Sequence, residues 1–427
     1  MSRLGAVARA PWAPFAVLAV VSVLSLAFRA AWLSDPCANP CRGEAAHSLI
    51  FDEVYYVNAA RRIDGLAVPR NQPYAGDPAG QDDNSEHPQL VKLIIAAAID
   101  VFGDGPFAWR VGSLIFGSLA ILGMFALALA AGAPRWCAVL AATLMAADNL
   151  MVVHGRIATL DIYVVAFMVW AAAAYLRGRP IVAGVLLGLG TTAKLVAPYL
   201  LLALLLVELL RHRRQGLRAA AVALAELTMV ATGAYVAVLA AFDRIAPPYD
   251  PQTGRTITGG PIDHTERILS YAAAQTSPHG PQGIASYPWD WFADLRPINY
   301  LNVTVTSGSS RTATVHFLGL ISPPILAFAV PALVLAALAA WRGGREDAVA
   351  VGWFLGTWLP FAASSLILQR TSYLYYMVIV MPGIYLALAL AFTRRWMPRW
   401  ALALWLLLVV AAAVLTYPFL PVPAISA

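Results

Sequence analysis

Two adjacent carboxylates, Asp52 and Glu53, stand among aromatic and aliphatic residues in the hexapeptide at positions 51–56. Desolvation in such surroundings raises the pKa of a carboxyl group, and a carboxylate that titrates near neutrality can act as a general base. The pair also fits an ordinary solvated helix start, because acidic residues favour the first turn of a helix. We therefore take Asp52 and Glu53 as candidate catalytic residues, with that structural interpretation left open.

A second polar group follows at Glu86, His87 and Lys92. Pro88 suits the first turn of a helix, and Lys92 then lies one turn further along. An acid, an imidazole and an ammonium group at the mouth of one helix could face a phosphate. The alternative is that the Lys92 side chain extends to lipid headgroups.

Other charged residues lie at the ends of apolar stretches, where such residues are energetically costly and commonly functional. Arg156 and Asp161 flank a corner between two stretches, although they could simply pair with each other. Lys194 ends a short apolar segment, and Arg370 precedes a tyrosine-rich corner that begins with Tyr373. Cations of this kind bind phosphate, while a carboxylate can deprotonate an incoming hydroxyl. The combined set is what a lipid-linked phosphosugar requires.

Trp289 and Trp291 lie in a sequence where Trp alternates with Pro and Asp. The pattern suits an aromatic platform that contacts a sugar or a peptide acceptor. It equally suits a belt of tryptophans at a membrane interface. Both interpretations stay open at this point.

The composition indicates a membrane protein. The chain has 427 residues, of which 60% are hydrophobic and 12% charged, whereas a soluble domain carries about 25% charged residues. Apolar runs of bilayer-spanning length recur, so we predict an all-α polytopic membrane protein with about eleven transmembrane helices. The net charge of +6 comes with no nucleic-acid motif, and no nucleic-acid partner is expected. The predicted spans lie near 12–33, 108–131, 135–153, 160–177, 180–194, 196–210, 218–241, 314–341, 347–367, 372–393 and 399–417.

The segment 88–102 decides the orientation of everything after it. If this segment does not span, the arginine clusters between later segments fall on the cytoplasmic side, as the positive-inside rule favours. We therefore predict that it lies at the outer interface, with a retained first helix and a cytoplasmic N-terminus. The loops 34–107 and 242–313 then face the extracytoplasmic side of a cell membrane, which we expect to be bacterial.

Two features of the first loop stay open. Cys37 and Cys41 flank a Pro-containing turn and could form a disulfide in an oxidising compartment. Asp, Glu and His side chains are available for a divalent metal, but no ligand spacing requires one, and no other cofactor is expected.

The chain resembles the protein O-mannosyltransferases, a family within the type C superfamily of lipid-carrier-dependent glycosyltransferases. Residues 51–54 are similar to the Asp-Glu motif of its first external loop, and residues 87–92 to its His-Pro-Pro-Leu-Gly-Lys element. Residues 156–161 resemble its Arg…Leu-Asp element, residues 286–297 its Trp- and Pro-rich stretch, and residues 370–382 its last external corner. These matches occur in the family's order over nearly the whole chain.

The resemblance implies one type C glycosyltransferase domain over 1–427, with outer loops and interfacial helices around the site. It implies that Asp52 deprotonates a Ser or Thr hydroxyl of a secreted or membrane protein. That hydroxyl then displaces polyprenyl phosphate from mannose with inversion. The donor is bound by His87, Lys92, Arg156, Asp161, Lys194, Arg370 and Tyr373, and the acceptor contacts Glu86, Trp289 and Trp291.

The sequence also departs from the family's pattern. Gln89 replaces the second proline and Val91 the glycine of the His-Pro-Pro element, while Trp291 is followed by Phe-Ala rather than Pro-Leu. The loop 242–313 is too short for the additional sugar-binding-like domain of eukaryotic relatives. A lipid or glycan acceptor is therefore one alternative, and a transporter or flippase of lipid-linked substrates is an alternative of another class.

Overall fold

The computed structural model describes residues 10–37, 47–212, 217–307, 310–394, 397–418 and 422–423. Most of these residues are helical, as the apolar runs predicted. The helices are α1 (Ala13–Ala30), α2 (Glu53–Ile63), α3 (Leu90–Phe102), α4 (Pro106–Ala131), α5 (Arg135–Ala147), α6 (Asn149–His154), α7 (Asp161–Leu176), α8 (Pro180–Ala193), α9 (Tyr199–His212), α10 (Arg218–Ile245), α11 (Gly260–Ala274), α12 (Pro323–Trp341), α13 (Arg345–Ile367), α14 (Met377–Thr393) and α15 (Arg399–Leu415). Two short 3₁₀ helices cover Asp290–Ala293 and Leu374–Tyr376.

Six helices in the described part of the chain are long and apolar enough to cross a membrane. They are α1, α4, α10, α12, α13 and the segment Leu374–Thr393, which contains α14. Shorter apolar helices are α5, α7, α8 and α15. Every predicted span contains a helix, so the polytopic membrane architecture is confirmed, whereas the count of eleven spans stays a prediction.

The burial of the helices shows which of them form the centre. Nearly every residue of α14 is buried, whereas the buried residues of α10 are Leu227, Ala231 and Leu239, so α14 is central and α10 peripheral. Helix α7 packs in the same core through fully buried residues such as Tyr163. The exposed apolar faces of α1, α10 and α15 are those that lipid would cover.

Two small sheets modify the all-α prediction. Strands β1 (Tyr249–Asp250) and β2 (Arg255–Thr256) form one antiparallel pair. Strands β3 (Ile298–Ser307) and β4 (Ser310–Gly319) form a hairpin to which β5 (Val422–Pro423) adds. The predicted span at 314–341 was therefore wrong at its start, because its first residues pair with β3 and the helix begins only at Pro323.

Two other predicted boundaries change for local reasons. The segment 135–153 breaks into α5 and α6 at Asp148, whose backbone is extended. One carboxylate oxygen of Asp148 accepts the Ser322 N–H at 2.8 Å, and the other accepts the Tyr385 hydroxyl. Helix α3 begins at Leu90 with Gln89 as its N-cap, so Pro88 precedes the helix instead of lying in its first turn.

Cys41 and the N-terminal residues Arg3 and Arg9 lie outside the described residues. The disulfide between Cys37 and Cys41 therefore stays a prediction, as does the cytoplasmic N-terminus. Cys137 is a buried free thiol.

Candidate functional site

A cavity of about 490 Å³ opens where the two long predicted outer loops meet the ends of the helices. Its walls come from the start of α2, the loop before α3, the corner between α8 and α9, helix α11 and the corner before α14. Among the described residues, tyrosines dominate the lining: Tyr55, Tyr56, Tyr74, Tyr199, Tyr271, Tyr373, Tyr375 and Tyr376. Tyrosine rings offer apolar faces for stacking and hydroxyls for hydrogen bonds, which suits a sugar.

Asp52 lies at the N-cap of α2 and lines this cavity. The preceding residue, Phe51, has a φ of 54°, a left-handed conformation that non-glycine residues rarely adopt and that clusters at functional sites. Burial raises the pKa of the Asp52 carboxyl to about 7, while the nearby Lys194 ammonium lowers it and Asp161 raises it. A carboxyl group with this pKa exchanges its proton near neutral pH, as a general base must.

Glu53 is placed differently, although it is the next residue. Its side chain is fully buried, lies outside the cavity lining, and accepts two hydrogen bonds from the Arg110 guanidinium at 2.8 and 2.7 Å. It also accepts the backbone N–H groups of Ile50 at 2.7 Å and Ala158 at 2.9 Å. Glu53 thus joins the first loop to α4 and to the corner before α7. The expectation of a catalytic pair does not fit this geometry, because protein groups occupy both oxygens of the Glu53 carboxylate.

The cationic side of the cavity consists of Lys194 and Arg370. The Lys194 ammonium donates to Asp161 Oδ1 at 2.7 Å and lies 5.2 and 5.3 Å from the ring centroids of Tyr375 and Tyr376. The Arg370 guanidinium donates to the Ala272 carbonyl at the end of α11, and no ion pair to it occurs among the described residues. Arg370 is therefore a cation on the cavity wall that can bind an incoming anion without first breaking an ion pair.

His87 and Glu86 line the cavity, whereas Lys92 does not. Burial, together with the cations Lys194, Lys92 and Arg370, holds the pKa of His87 well below its ordinary value, so its imidazole is neutral at pH 7. Burial also raises the pKa of Glu86, whose carboxylate accepts a hydrogen bond from the Asn84 amide at 2.9 Å.

The Lys92 ammonium is fully buried and supports the loop that carries His87. It pairs with Asp82 and donates to the carbonyl oxygens of Asn84 and His87. Its three donors are thus used within the protein. The expectation that Lys92 meets the donor phosphate, and the alternative that it extends to lipid headgroups, do not fit this geometry.

Arg156 and Asp161 lie behind the cavity wall and do not pair with each other. Arg156 donates to the carbonyl oxygens of Ala31 at 2.9 Å and Trp32 at 3.1 Å, and to the Tyr417 hydroxyl at 3.1 Å. Asp161 instead fixes the ammonium of Lys194. Direct donor contact by Arg156 and Asp161 does not fit this geometry, because protein groups occupy both side chains.

The two tryptophans of the 286–291 stretch also lie away from the cavity lining. Trp289 is 41% exposed and stacks on Tyr287, with ring centroids 4.6 Å apart. Trp291 is buried and donates from its indole N–H to Ser286 Oγ at 2.9 Å. From this loop the cavity instead receives Tyr271 and Gln275 of the α11 region, which sequence reasoning missed.

Most of the tyrosines were missed as well, although two local signals were available. Tyr55 and Tyr56 follow the acidic pair after Val54, and Tyr375 and Tyr376 follow Arg370. Their convergence depends on helix packing that no local pattern reveals. Within the described part of the chain, no three His, Cys, Asp or Glu side chains are grouped so that they could hold a metal ion.

Comparisons with known proteins show what the chain is similar to. Residues 86–239 match the family model described as dolichyl-phosphate-mannose-protein mannosyltransferase. A polyprenol-phosphate-mannose–protein mannosyltransferase of Corynebacterium glutamicum is 25% identical, over 73% of this chain and 71% of that protein.

Solved structures show the same fold at low sequence identity. The Saccharomyces cerevisiae protein O-mannosyltransferase Pmt1-Pmt2 complex bound to the sugar donor is 13% identical, with a TM-score of 0.64 over 95% of this chain and 89% of that one. ArnT of Cupriavidus metallidurans bound to undecaprenyl phosphate is 18% identical, with a TM-score of 0.53 over 93% of this chain and 63% of that one. The Archaeoglobus fulgidus oligosaccharyltransferase is 14% identical, with a TM-score of 0.58 over 97% of this chain and 56% of that one. The resemblance predicted from the ordered motifs is thereby confirmed: the chain is similar in sequence to protein mannosyltransferases and has the fold of these solved membrane glycosyltransferases.

Proposed function

We propose that this protein transfers mannose from a polyprenyl-phosphate carrier to a Ser or Thr hydroxyl of a protein. The observation that carries the proposal is that Asp52 lines the same tyrosine-rich cavity as the cations Lys194 and Arg370. A carboxylate and two cations in one cavity match the two charge changes of the reaction. The relative from C. glutamicum supports the choice of donor and acceptor.

The reaction is a single displacement at the anomeric carbon of mannose. Asp52 accepts the proton of the acceptor hydroxyl while its oxygen forms the new bond to that carbon. The bond between the carbon and the phosphate oxygen breaks, and the bonding electrons leave with the phosphate. Arg370 and Lys194 stabilise the negative charge that develops there. Attack opposite to the leaving group inverts the anomeric configuration.

The acceptor enters on the side of the cavity formed by Glu86, Tyr55 and Tyr271. Glu86 offers its carboxylate to a backbone N–H or a hydroxyl of the acceptor, and the rings offer apolar contact. His87, neutral and between the two sides, can exchange a hydrogen bond with the sugar. With a cytoplasmic N-terminus, this site faces the extracytoplasmic side, where secreted and membrane proteins present their hydroxyls.

A transfer assay tests this function directly. Purified protein in lipid nanodiscs is supplied with polyprenyl-phosphate-mannose and either a Ser/Thr-rich peptide or a glycolipid acceptor, and products are identified by mass spectrometry. Mannosylated peptide is the expected product. Mannosylated glycolipid without mannosylated peptide would show that the acceptor is a lipid and not a protein. Transport of the donor across a proteoliposome membrane, without any mannose transfer, would support a flippase instead.

The raised pKa of Asp52 predicts the pH dependence of the reaction. A base must be deprotonated, so kcat should rise as the pH increases through about 7, from about one tenth of its limiting value at pH 6 to a plateau above pH 8. Initial rates at saturating donor and acceptor between pH 5.5 and 8.5 measure this profile. A flat profile in a range where the protein stays folded would contradict Asp52 as the base.

Replacement of Arg370 tests the phosphate site. Arg370→Gln should raise the donor KM by about 10- to 150-fold, because a hydrogen bond to a charged group is worth about 1.5–3 kcal/mol. The acceptor KM should change little. Arg296→Gln is the matched control, since Arg296 lies in loop 242–313, outside the cavity lining, and its hydrogen bonds to described residues go to the Pro281 and Ala285 carbonyl oxygens of that loop. An equal effect of both substitutions would contradict the assignment.

A further inference from the structure

Two fully buried side chains from separate parts of the chain meet at one carboxylate oxygen of a third, half-buried residue. Asp243 Oδ1 accepts the Gln89 amide at 2.7 Å and contacts His264 Nδ1 at 2.8 Å. Gln89 and His264 are fully buried. Because the carboxylate needs donors when it is buried, both neighbours present an N–H to the same oxygen.

This junction connects elements that are distant in sequence. Gln89 is the N-cap of α3 and follows His87 of the cavity by two residues. Asp243 lies in the last turn of α10, and His264 in the first half of α11. The first outer loop is thus tied to the start of α11 through one shared carboxylate.

Helix α11 forms a wall of the cavity. Ile268 and Tyr271 line it, and the charged or titratable neighbours of Tyr271 are Glu86, Tyr55, Tyr376 and Asp52. This is the side of the cavity to which we assign the acceptor.

The two ends of α11 are held by different groups. At its C-terminal end, the Thr371 N–H donates to the Gln275 carbonyl at 2.9 Å and the Ser277 N–H donates to the Gln369 carbonyl at 2.8 Å. These bonds keep the end near Arg370 in place without the junction. At the other end, the junction acts together with the ion pair between Arg267 and Asp250 at 3.0 Å. Loss of the junction should therefore displace the part of the wall that faces the acceptor, and not the phosphate side.

We propose that Gln89, Asp243 and His264 form a positioning junction that sets α11 as the acceptor-side wall of the cavity. The inference rests on the proposed transfer reaction for its substrate assignment. It is particular to this chain's sequence, because the family that it resembles has proline where Gln89 stands, and proline has no side-chain amide to donate. None of the three residues lines the cavity, so they act through α11 and not on the substrate.

Steady-state kinetics of variants in lipid nanodiscs test the junction. Gln89→Leu and His264→Leu should each raise the acceptor KM about tenfold, because small displacements of a positioning wall weaken binding steeply. The kcat and the donor KM should stay within about twofold of the wild type. His264→Gln should restore most of the acceptor affinity, because its amide can still donate to Asp243.

Gln81→Leu is the matched control. Gln81 also links the two outer loops, through a 2.9 Å hydrogen bond from the Thr256 hydroxyl, but no hydrogen bond among the described residues joins its side chain to Asp243 or to α11. Its acceptor KM should equal that of the wild type. An unchanged acceptor KM in folded Gln89→Leu, or an equal rise in Gln81→Leu, would overturn the proposal.

A second measurement does not depend on transfer activity. Hydrogen exchange of the backbone amides of 263–271 should be faster in Gln89→Leu than in the wild type, while the amides of 275–277 keep their protection. Equal exchange in both proteins overturns the junction even if transfer is observed. A wild-type protein that transfers no mannose, yet shows this exchange difference, would contradict the proposed function and leave the junction standing.

Discussion

Asp52→Asn is expected to lower kcat by about 10²- to 10⁴-fold, which is the range for loss of a positioned general base. Asparagine has nearly the same shape as aspartate, so the cavity and its bound donor should be preserved, but its amide cannot accept the proton of the hydroxyl. The donor KM should therefore change little. Initial rates of peptide mannosylation, with donor binding measured in parallel, give both quantities.

Asp100→Asn serves as the control for this experiment. Asp100 also lies between α1 and α4 in sequence, but its side chain is exposed on α3 and does not line the cavity. It should transfer at the wild-type rate. Retained activity in Asp52→Asn, at equal protein and donor occupancy, would contradict the assigned base.

Glu53→Leu is expected to destabilise the protein by about 3–5 kcal/mol, because it leaves the buried Arg110 guanidinium without its charge partner. Arg110→Leu should have a comparable effect. In the double variant Glu53→Leu/Arg110→Leu the loss should be smaller than the sum of the two, since neither charge is left alone. Thermal unfolding in detergent micelles, monitored by circular dichroism, ranks the wild type and the three variants by their unfolding temperatures.

A further variant, Glu53→Gln, separates a structural role of Glu53 from a catalytic one. Glu266→Gln is the control, because Glu266 is exposed on α11 and should leave stability unchanged. If Glu53→Gln kept wild-type stability but lost transfer activity as completely as Asp52→Asn, Glu53 would belong to the catalytic machinery after all.

The membrane fold was predictable because the bilayer imposes long apolar runs. Each predicted span contains a helix, since an apolar run in lipid must satisfy its own backbone hydrogen bonds. The hairpin of β3 and β4 was not predicted, because its pairing joins residues that no helical pattern links. The break at Asp148 was also not predictable, since its cause is a contact with Ser322 and Tyr385 from far along the chain.

For the site, residue type indicated where charges gather but not which of them are already paired. Asp52, His87, Lys194 and Arg370 were predicted to share one face of the membrane, and they line one cavity. Lys92 comes from the same part of the chain as His87, yet its ammonium pairs with Asp82 and donates to two backbone carbonyl oxygens. A sequence alone cannot distinguish a cation that binds a ligand from one that stabilises a loop. Both kinds of cation are costly to bury, and both need a partner.

The acidic pair illustrates the same limit over a single residue. In the helix that begins at Glu53, successive side chains point in different directions, so Asp52 faces the cavity and Glu53 faces Arg110. Neither direction follows from composition or spacing. The neighbours supplied by α4 and by the corner before α7 decide it.

The anomeric configuration of the product tests the central claim most directly. Peptide mannosylated by the purified protein, from a donor of known anomeric configuration, is analysed by the one-bond carbon–proton coupling of its anomeric centre in NMR. A single displacement with Asp52 as base predicts that the mannose in the product has the opposite configuration to that in the donor. A product with the donor's configuration would require two displacements and a covalent intermediate, and would contradict the mechanism derived from this cavity.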